Sequence, residues 1–307
     1  MIAFKDRCRR RSILATGCAA AVALFAAGCG DDDDSESADA KPTTFAINAT
    51  AEGTKKKALE FPSTVKAGLV TLTLTNSDTV GRSAQIIRVT GDQTVEDVLK
   101  VVNAEETKIP AFMQDGGGLG EIEAGKTASA TQNLAPGKYV IWDDAGGDSE
   151  DEPSNEELGA KGEFTVTGEA SDAELPKVAA TVTATDSDTD TNDKKYGFEL
   201  EGLKAGTNQV RFENTGEQLH HALFFPLAKG KTIKDAETAF SSDEPPTGPP
   251  PVDFAGGVGT TVIDGGIAQN ISLELKAGNY AVICFLSDRD GGKSHVEDGM
   301  IEELTVE

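Results

Sequence analysis

The chain repeats itself. Lys66-Ala67-Gly68 falls on Lys204-Ala205-Gly206 at a displacement of 138 residues. At the same displacement Asn76 falls on Asn214, Ala84 on Ala222, Thr94 on Thr232 and Asp97 on Asp235. Gly137-Lys138-Tyr139 then falls on Gly278-Asn279-Tyr280 at 141, so short insertions separate the matched blocks. Blocks matched in the same order mark a duplication, and a duplicated chain must build one fold twice. Whatever element is read in one copy therefore has to suit the other.

That element is a strand. Val70 to Thr75 alternates apolar and polar residues, as do Gln209 to Glu213 and Ile271 to Leu275, the period of a strand with one buried face. Ala135-Pro136-Gly137 and Ala277-Gly278 mark turns into the Tyr139 and Tyr280 strands. Short strands at this spacing, broken by Gly, Asn and Asp, predict an all-β chain of two tandem Greek-key sandwiches. Each copy carries one short helix, because Thr94 to Val102 and Thr232 to Phe240 both open on a threonine followed three residues later by an aspartate. The expected domains are 42–170 and 178–307, joined by a linker at 171–177. The Pro/Gly-rich run from Pro245 to Gly259 reads as a loop, and Asp186 to Asp190 as an acidic hairpin: Thr191 and Gly197 stand where a calcium loop needs a glycine and a glutamate.

Residues 1–28 stand apart. Lys5, Arg7, Arg9, Arg10 and Arg11 precede an apolar run from Ile13 to Ala27, and Phe25-Ala26-Ala27-Gly28 leads into Cys29. A basic start, a short apolar stretch and small residues before a cut are the parts of a secretory signal peptide. With a cysteine at the cut, the segment resembles the lipobox of bacterial lipoproteins, which implies lipidation of Cys29, although Ala26 stands where Leu is commoner. Cys18 is a second candidate for that role. Arg10-Arg11-Ser12-Ile13-Leu14 resembles a twin-arginine signal, while an ordinary basic start explains the same residues. Residues 29–41 are expected to form a solvated tether, since from Gly30 to Lys41 they hold Asp31 to Asp34 and no apolar residue larger than Ala. The expected location is the outer face of a bacterial membrane in the cell envelope, held by the lipid anchor.

Of the 28 basic and 52 acidic residues, the signal removes five and one. The rest is strongly acidic, which excludes nucleic acid and anionic lipid headgroups as partners. No phosphate loop follows a strand and no serine sits in a nucleophile elbow, so the expectation is a protein that is not an enzyme.

The two copies differ in one respect. All three histidines (His220, His221 and His295) lie in the second, together with Cys284, the cysteine left once Cys8, Cys18 and Cys29 are assigned to the signal and anchor. Two imidazoles, a thiolate and a weak thioether form the type 1 copper set, and His220 or His221, Cys284, His295 and Met300 supply it. Residues 178–307 resemble the cupredoxins of the plastocyanin and azurin type, with an aromatic and a cysteine on a strand, then a His, then Gly-Met before a last strand, Ile301 to Val306; the repeat implies a cupredoxin-like first copy as well. Four residues separate His295 from Met300, as in plastocyanin-like proteins, whereas the ten between Cys284 and His295 make a longer loop than most. The second copy is similar also to uncharacterised secreted cupredoxin-like proteins ending in Cys-Phe, Gly-Lys-x-His and Gly-Met. The resemblance implies bound copper, electron transfer or copper handling, and a redox or surface protein partner. In the first copy Arg82 and Ser83 fall on the histidine pair, Asp143 on Cys284, Asn155 near His295 and Ala160 near Met300, so that copy is expected to hold no metal. The residues admit a second reading, a metal-free β-sandwich surface lipoprotein acting as a binding or structural module, with Cys284 and Met300 as core side chains.

Overall fold

The computed structural model describes residues 41–104, 108–146, 152–186, 195–241 and 248–307. The signal segment, Cys29 and the tether up to residue 40 lie outside the described residues, as do 187–190 of the acidic hairpin and 245–247 of the Pro/Gly-rich run. Among the described residues the architecture is all-β, with two short α-helices. None of the described helices is long and apolar enough to cross a membrane.

In the first half, β1 (Thr43–Glu52), β2 (Lys56–Glu60), β3 (Thr64–Lys66), β4 (Gly68–Asn76) and β5 (Arg82–Val89) precede α1 (Val95–Val102). β6 (Met113–Ile122), β7 (Thr127–Leu134), β8 (Gly137–Trp142) and β9 (Lys161–Thr167) follow it. The second half runs β10 (Ala180–Asp186), β11 (Tyr196–Glu201), β12 (Gly206–Asn214), β13 (Leu223–Pro226), α2 (Ile233–Phe240), β14 (Val258–Gly259), β15 (Ala268–Leu275), β16 (Gly278–Ile283) and β17 (Ile301–Val306). The displacements found in the sequence recur: β4 and β12, like α1 and α2, start 138 residues apart, and β7 and β15, like β8 and β16, start 141 apart.

The alternation of β4 sends Val70, Leu72 and Leu74 into the core with no exposed surface, and leaves Thr71, Thr73 and Thr75 half-buried on the other face. Opposite this face of the first half lie β3-β9-β8-β5-β6, and opposite its counterpart in the second lie β14-β13-β16-β17. Both helices open on a capping box, in which Thr94 or Thr232 accepts from the backbone N–H three residues on and the aspartate there accepts from the threonine N–H. Each helix packs on the outer face of its smaller sheet, α1 over Ile87, Val140 and Trp142, and α2 over Phe225, Ala281 and Ile283.

The two halves are not beads on a string. A single eight-stranded sheet runs β11-β10-β12-β15-β7-β4-β1-β2, with the halves meeting where Gln269, Asn270 and Ile271 pair antiparallel with Gln132, Thr131 and Ala130. Edge strands pair readily because their backbone groups are otherwise left to water. The segment 171–177 is tied down as well: Asn133 donates to the Ser171 carbonyl, and Arg211 and Asn270 donate to that of Pro176. A second seam joins β6 to the residues before β15. Gly116 forms a bridge with Ile263, and a Cβ on Gly116 would stand 2.5 Å from the Val262 carbonyl, so this approach requires glycine. Gln85 exchanges two hydrogen bonds with the Val262 backbone.

The run Pro245–Gly259, expected to be a loop, is partly regular. Asp253 caps a 3-10 turn over Phe254–Gly256, and β14 pairs with β13 through Leu223 and Phe224. The prolines end at Pro251, so every later residue has an N–H to give to such pairing.

Candidate metal centre

The centre is built at one end of the second sandwich, where three segments meet. Asn214 ends β12 and holds the following turn by donating to the Gln218 and Ile263 carbonyls, as Asn76 does to Val80 and Ile122 in the first half. The turn delivers His220, whose backbone exchanges hydrogen bonds with Ile263 at 3.0 Å in each direction. Cys284 follows the last residue of β16. His295 and Met300 belong to one tight turn before β17: the His295 N–H donates to the Leu286 carbonyl, the Met300 N–H to the His295 carbonyl, and the Cys284 N–H to the Met300 carbonyl.

His220, Cys284 and His295 come together. Cys284 Sγ lies 3.7 Å from His220 Nδ1 and 3.5 Å from His295 Nδ1, and the two Nδ1 atoms are 3.0 Å apart. All three residues have no exposed surface, and their ligand atoms lie within 4.8 Å of one another. Met300 is equally buried and joined to both Cys284 and His295 through its backbone.

His221 is turned away from the cluster. The two histidines stand just before β13 and not within a strand, yet neighbouring residues on extended chain still face opposite ways. His221 Nε2 accepts from the Phe285 backbone N–H at 3.0 Å, so this ring supports the chain beside Cys284.

Each inward imidazole is held by its other nitrogen. His220 Nε2 lies 3.0 Å from Asp186 Oδ1, and His295 Nε2 lies 3.2 Å from Asp288 Oδ1. Burial raises both carboxyls, but the hydrogen bonds outweigh it and leave each below the ordinary aspartate value. For Asp186 these bonds involve His220 and the Glu217 N–H, and for Asp288 they come from Lys195 and Tyr196. The Tyr196 ring covers the site, with its centroid 4.2 Å from that of His295 and 5.4 Å from that of His220. Sequence reading passed over these three residues. Asp186 looked like the first residue of an acidic hairpin, and only the place of Asp288 between Cys284 and His295 could have singled it out.

A carboxylate oxygen accepts from a ring nitrogen, so each Nε2 is turned outward to its aspartate and both Nδ1 atoms face Cys284 Sγ. Imidazole nitrogen and thiol sulfur donors suit copper or zinc over magnesium or calcium. The donor set therefore fits a copper ion. Burial pushes the Cys284 thiol up to about 12, so an entering metal has to displace that proton.

Burial lowers His221 to about 3, while burial and the neighbouring His220 lower His295 to about 4. A histidine that is neutral when folded contributes stability that is complete above its ordinary value of 6.5 and is lost as pH falls towards the folded value, because the unfolded chain takes the proton first. The metal-free protein should thus have a lower urea midpoint at about pH 5 than at about pH 7. His221→Gln, which keeps an acceptor for Phe285, should reduce that difference without abolishing it, since His295 remains. Equal midpoints at the two pH values would contradict this.

In the first half the equivalent positions hold charge. The same turn bonds recur, Asp143 N–H to the Ala160 carbonyl and Ala160 N–H to the Asn155 carbonyl, so Asp143, Asn155 and Ala160 stand where Cys284, His295 and Met300 stand. Arg82, at the place of His220, has no exposed surface. Its guanidinium bonds Asp143, Asp78 and the carbonyls of Thr50 and Ala58. Strand register sets Lys57 at the place of Tyr196, and its ammonium lies 2.5 Å from Asp78.

No protein-family model matches the chain, and no curated protein matches it. Solved structures do. Reduced auracyanin from Roseiflexus castenholzii is 22% identical over 41% of this chain and 98% of its own, at a TM-score of 0.27. Auracyanin A, a "blue" copper protein from Chloroflexus aurantiacus, is 17% identical over 41% and 100%, at 0.28. Copper nitrite reductase from Nitrosomonas europaea is 16% identical over 87% of this chain and 94% of its own, at 0.26.

Proposed function

We propose that the second sandwich would hold copper through His220 Nδ1, His295 Nδ1 and Cys284 Sγ, with the Met300 thioether as a further weak donor, and that it serves one-electron transfer. The observation that carries this reading is the meeting of two imidazole nitrogens and a thiol, all buried, with no carboxylate among the inner donors of the described residues. Bound copper supplies a one-electron couple. The chain's part is to hold the donors in a packed core, to exclude water from them and to orient both rings through Asp186 and Asp288. Electron transfer needs no substrate pocket, which agrees with the lack of a catalytic constellation in the sequence.

The test is to load the protein with Cu(II). A type 1 centre gives an intense thiolate-to-copper absorption at roughly 600 nm. The wild type should show it and Cys284→Ser should not. A wild type without the band, or a band that survives the substitution, would refute the proposal.

We propose also that Cys29 carries lipid and holds the chain at the outer face of a bacterial membrane. Cys29→Ala should then move the chain from the membrane fraction to the soluble one, and unchanged fractionation would count against anchoring.

A further inference from the structure

The pair of carboxylates behind the ligands carries negative charge that orienting the rings does not by itself require. Each inward imidazole gives its far nitrogen to an aspartate, and the two aspartates are secured by different means. Asp186 accepts from the Glu217 backbone N–H at 2.6 Å while its other oxygen meets His220. Asp288 is bound by Lys195 Nζ at 2.7 Å and by the Tyr196 hydroxyl, and the oxygen that takes the hydroxyl also meets His295.

Gly216 shows that the chain makes room for this arrangement. A Cβ on Gly216 would lie 2.0 Å from Asp186 Oδ1, the same oxygen that meets His220. Only a residue without a side chain lets the carboxylate reach the ring. Its counterpart in the first half, 138 residues earlier, is Asp78, and the position facing it is Ala51, so the first half neither has this carboxylate nor needs the space.

Resting on the copper reading, we infer that Asp186 and Asp288 are positioning residues that bias the centre towards its oxidised, dicationic state, and that Gly216 is the space that admits Asp186. The physical reason is electrostatic. A carboxylate on the far nitrogen of an imidazole fixes the ring and makes the ligating nitrogen more basic, and two such carboxylates place two negative charges just outside the ligands. Cu(II) carries one charge more than Cu(I), so it gains more from both effects. Because the pair acts on both imidazoles, the oxidised state is favoured twice. Lys195, more than half exposed, bonds Asp288 and offsets part of its charge, so the Asp186 arm should have the larger effect.

The experiment uses the copper-loaded full chain and measures the midpoint potential by mediated titration of the thiolate band, for the wild type, Asp186→Asn, Asp288→Asn and Gly216→Ala. Removing such an outer partner weakens metal affinity by about tenfold to a hundredfold. If the loss falls on Cu(II) and spares Cu(I), each tenfold raises the potential by about 59 mV. All three variants should keep the band and shift the potential upward, Asp186→Asn more than Asp288→Asn. Gly216→Ala should reproduce the direction of Asp186→Asn while retaining every charge in the protein, a result that a general loss of stability would not give. A band with an unmoved or lowered potential in both aspartate variants overturns the inference and leaves the copper reading standing. A wild type that shows no band removes the copper reading and this inference with it.

Discussion

Arg82→Ala should unfold the first sandwich more readily than any surface substitution could, lowering stability by about 3–5 kcal/mol. Arg82 has no exposed surface, nor has Asp143, and the guanidinium is the cation that Asp143 faces. Removing one member of a buried pair leaves the other charged and desolvated, which costs far more than the pair contributes when intact. The remaining bonds to Asp143, from the Ser83 N–H and hydroxyl and from the Ala145 N–H, are made by neutral donors and do not cancel its charge. Lys57 remains for Asp78 alone. Urea unfolding measures the effect. The double variant Arg82→Ala with Asp143→Ala should regain part of the loss, because residues in one buried network do not act additively. A single variant within about 0.5 kcal/mol of the wild type, the range of ordinary surface substitutions, would contradict the account of the first half.

Copper should stabilise the second half outright. Any ligand bound by the folded chain and not by the unfolded one stabilises it by mass action, about 4.1 kcal/mol at a free concentration a thousandfold above Kd. At such a concentration the wild type should unfold at a markedly higher temperature than the metal-free protein, and Cys284→Ser should show little of the difference. The same substitution fills the space of a buried thiol with a hydroxyl, so the comparison has to be made within each variant, with and without the metal. A Cys284→Ser variant stabilised by copper as much as the wild type would place the ion elsewhere in the chain.

Much of this was legible in the sequence, and what was not has physical reasons. The displacements of 138 and 141 found by matching residues are those between β4 and β12, α1 and α2, β7 and β15, and β8 and β16. Short-range patterns, alternation and capping boxes, carry that information. The pairing of β15 with β7 left no mark, because backbone groups make it and any residue supplies them. Alternation showed that one of His220 and His221 points inward and could not say which; the structure sets His220 beside Cys284 and turns His221 to the Phe285 N–H. Arg82 and Asp143 were recognised as replacements for His220 and Cys284, but not as partners, although opposite charges at two positions that meet in the other copy were a usable signal. Asp186, Asp288 and Tyr196 were missed because an acid in a loop and an aromatic on a strand are unremarkable until the fold sets them against the histidines.

The first sandwich thus keeps the frame and fills the place of the centre with a satisfied charge network, whereas the second gathers soft donors there. Arg289, two residues before Gly291 in the turn between Cys284 and His295, donates to Asp264, whose N–H donates to the Asp115 carbonyl, and Ile109 donates to the Arg289 carbonyl. The first half therefore braces the segment that carries His295.

Copper should occupy one place in this chain. Diffraction from crystals of the Cu(II)-loaded protein, recorded on both sides of the copper absorption edge, tests it most directly. The account predicts one strong anomalous peak within bonding distance of His220 Nδ1, His295 Nδ1 and Cys284 Sγ, with none beside Arg82 and Asp143. A copper-loaded crystal with no peak at that centre, or with its copper held by surface carboxylates, would contradict it.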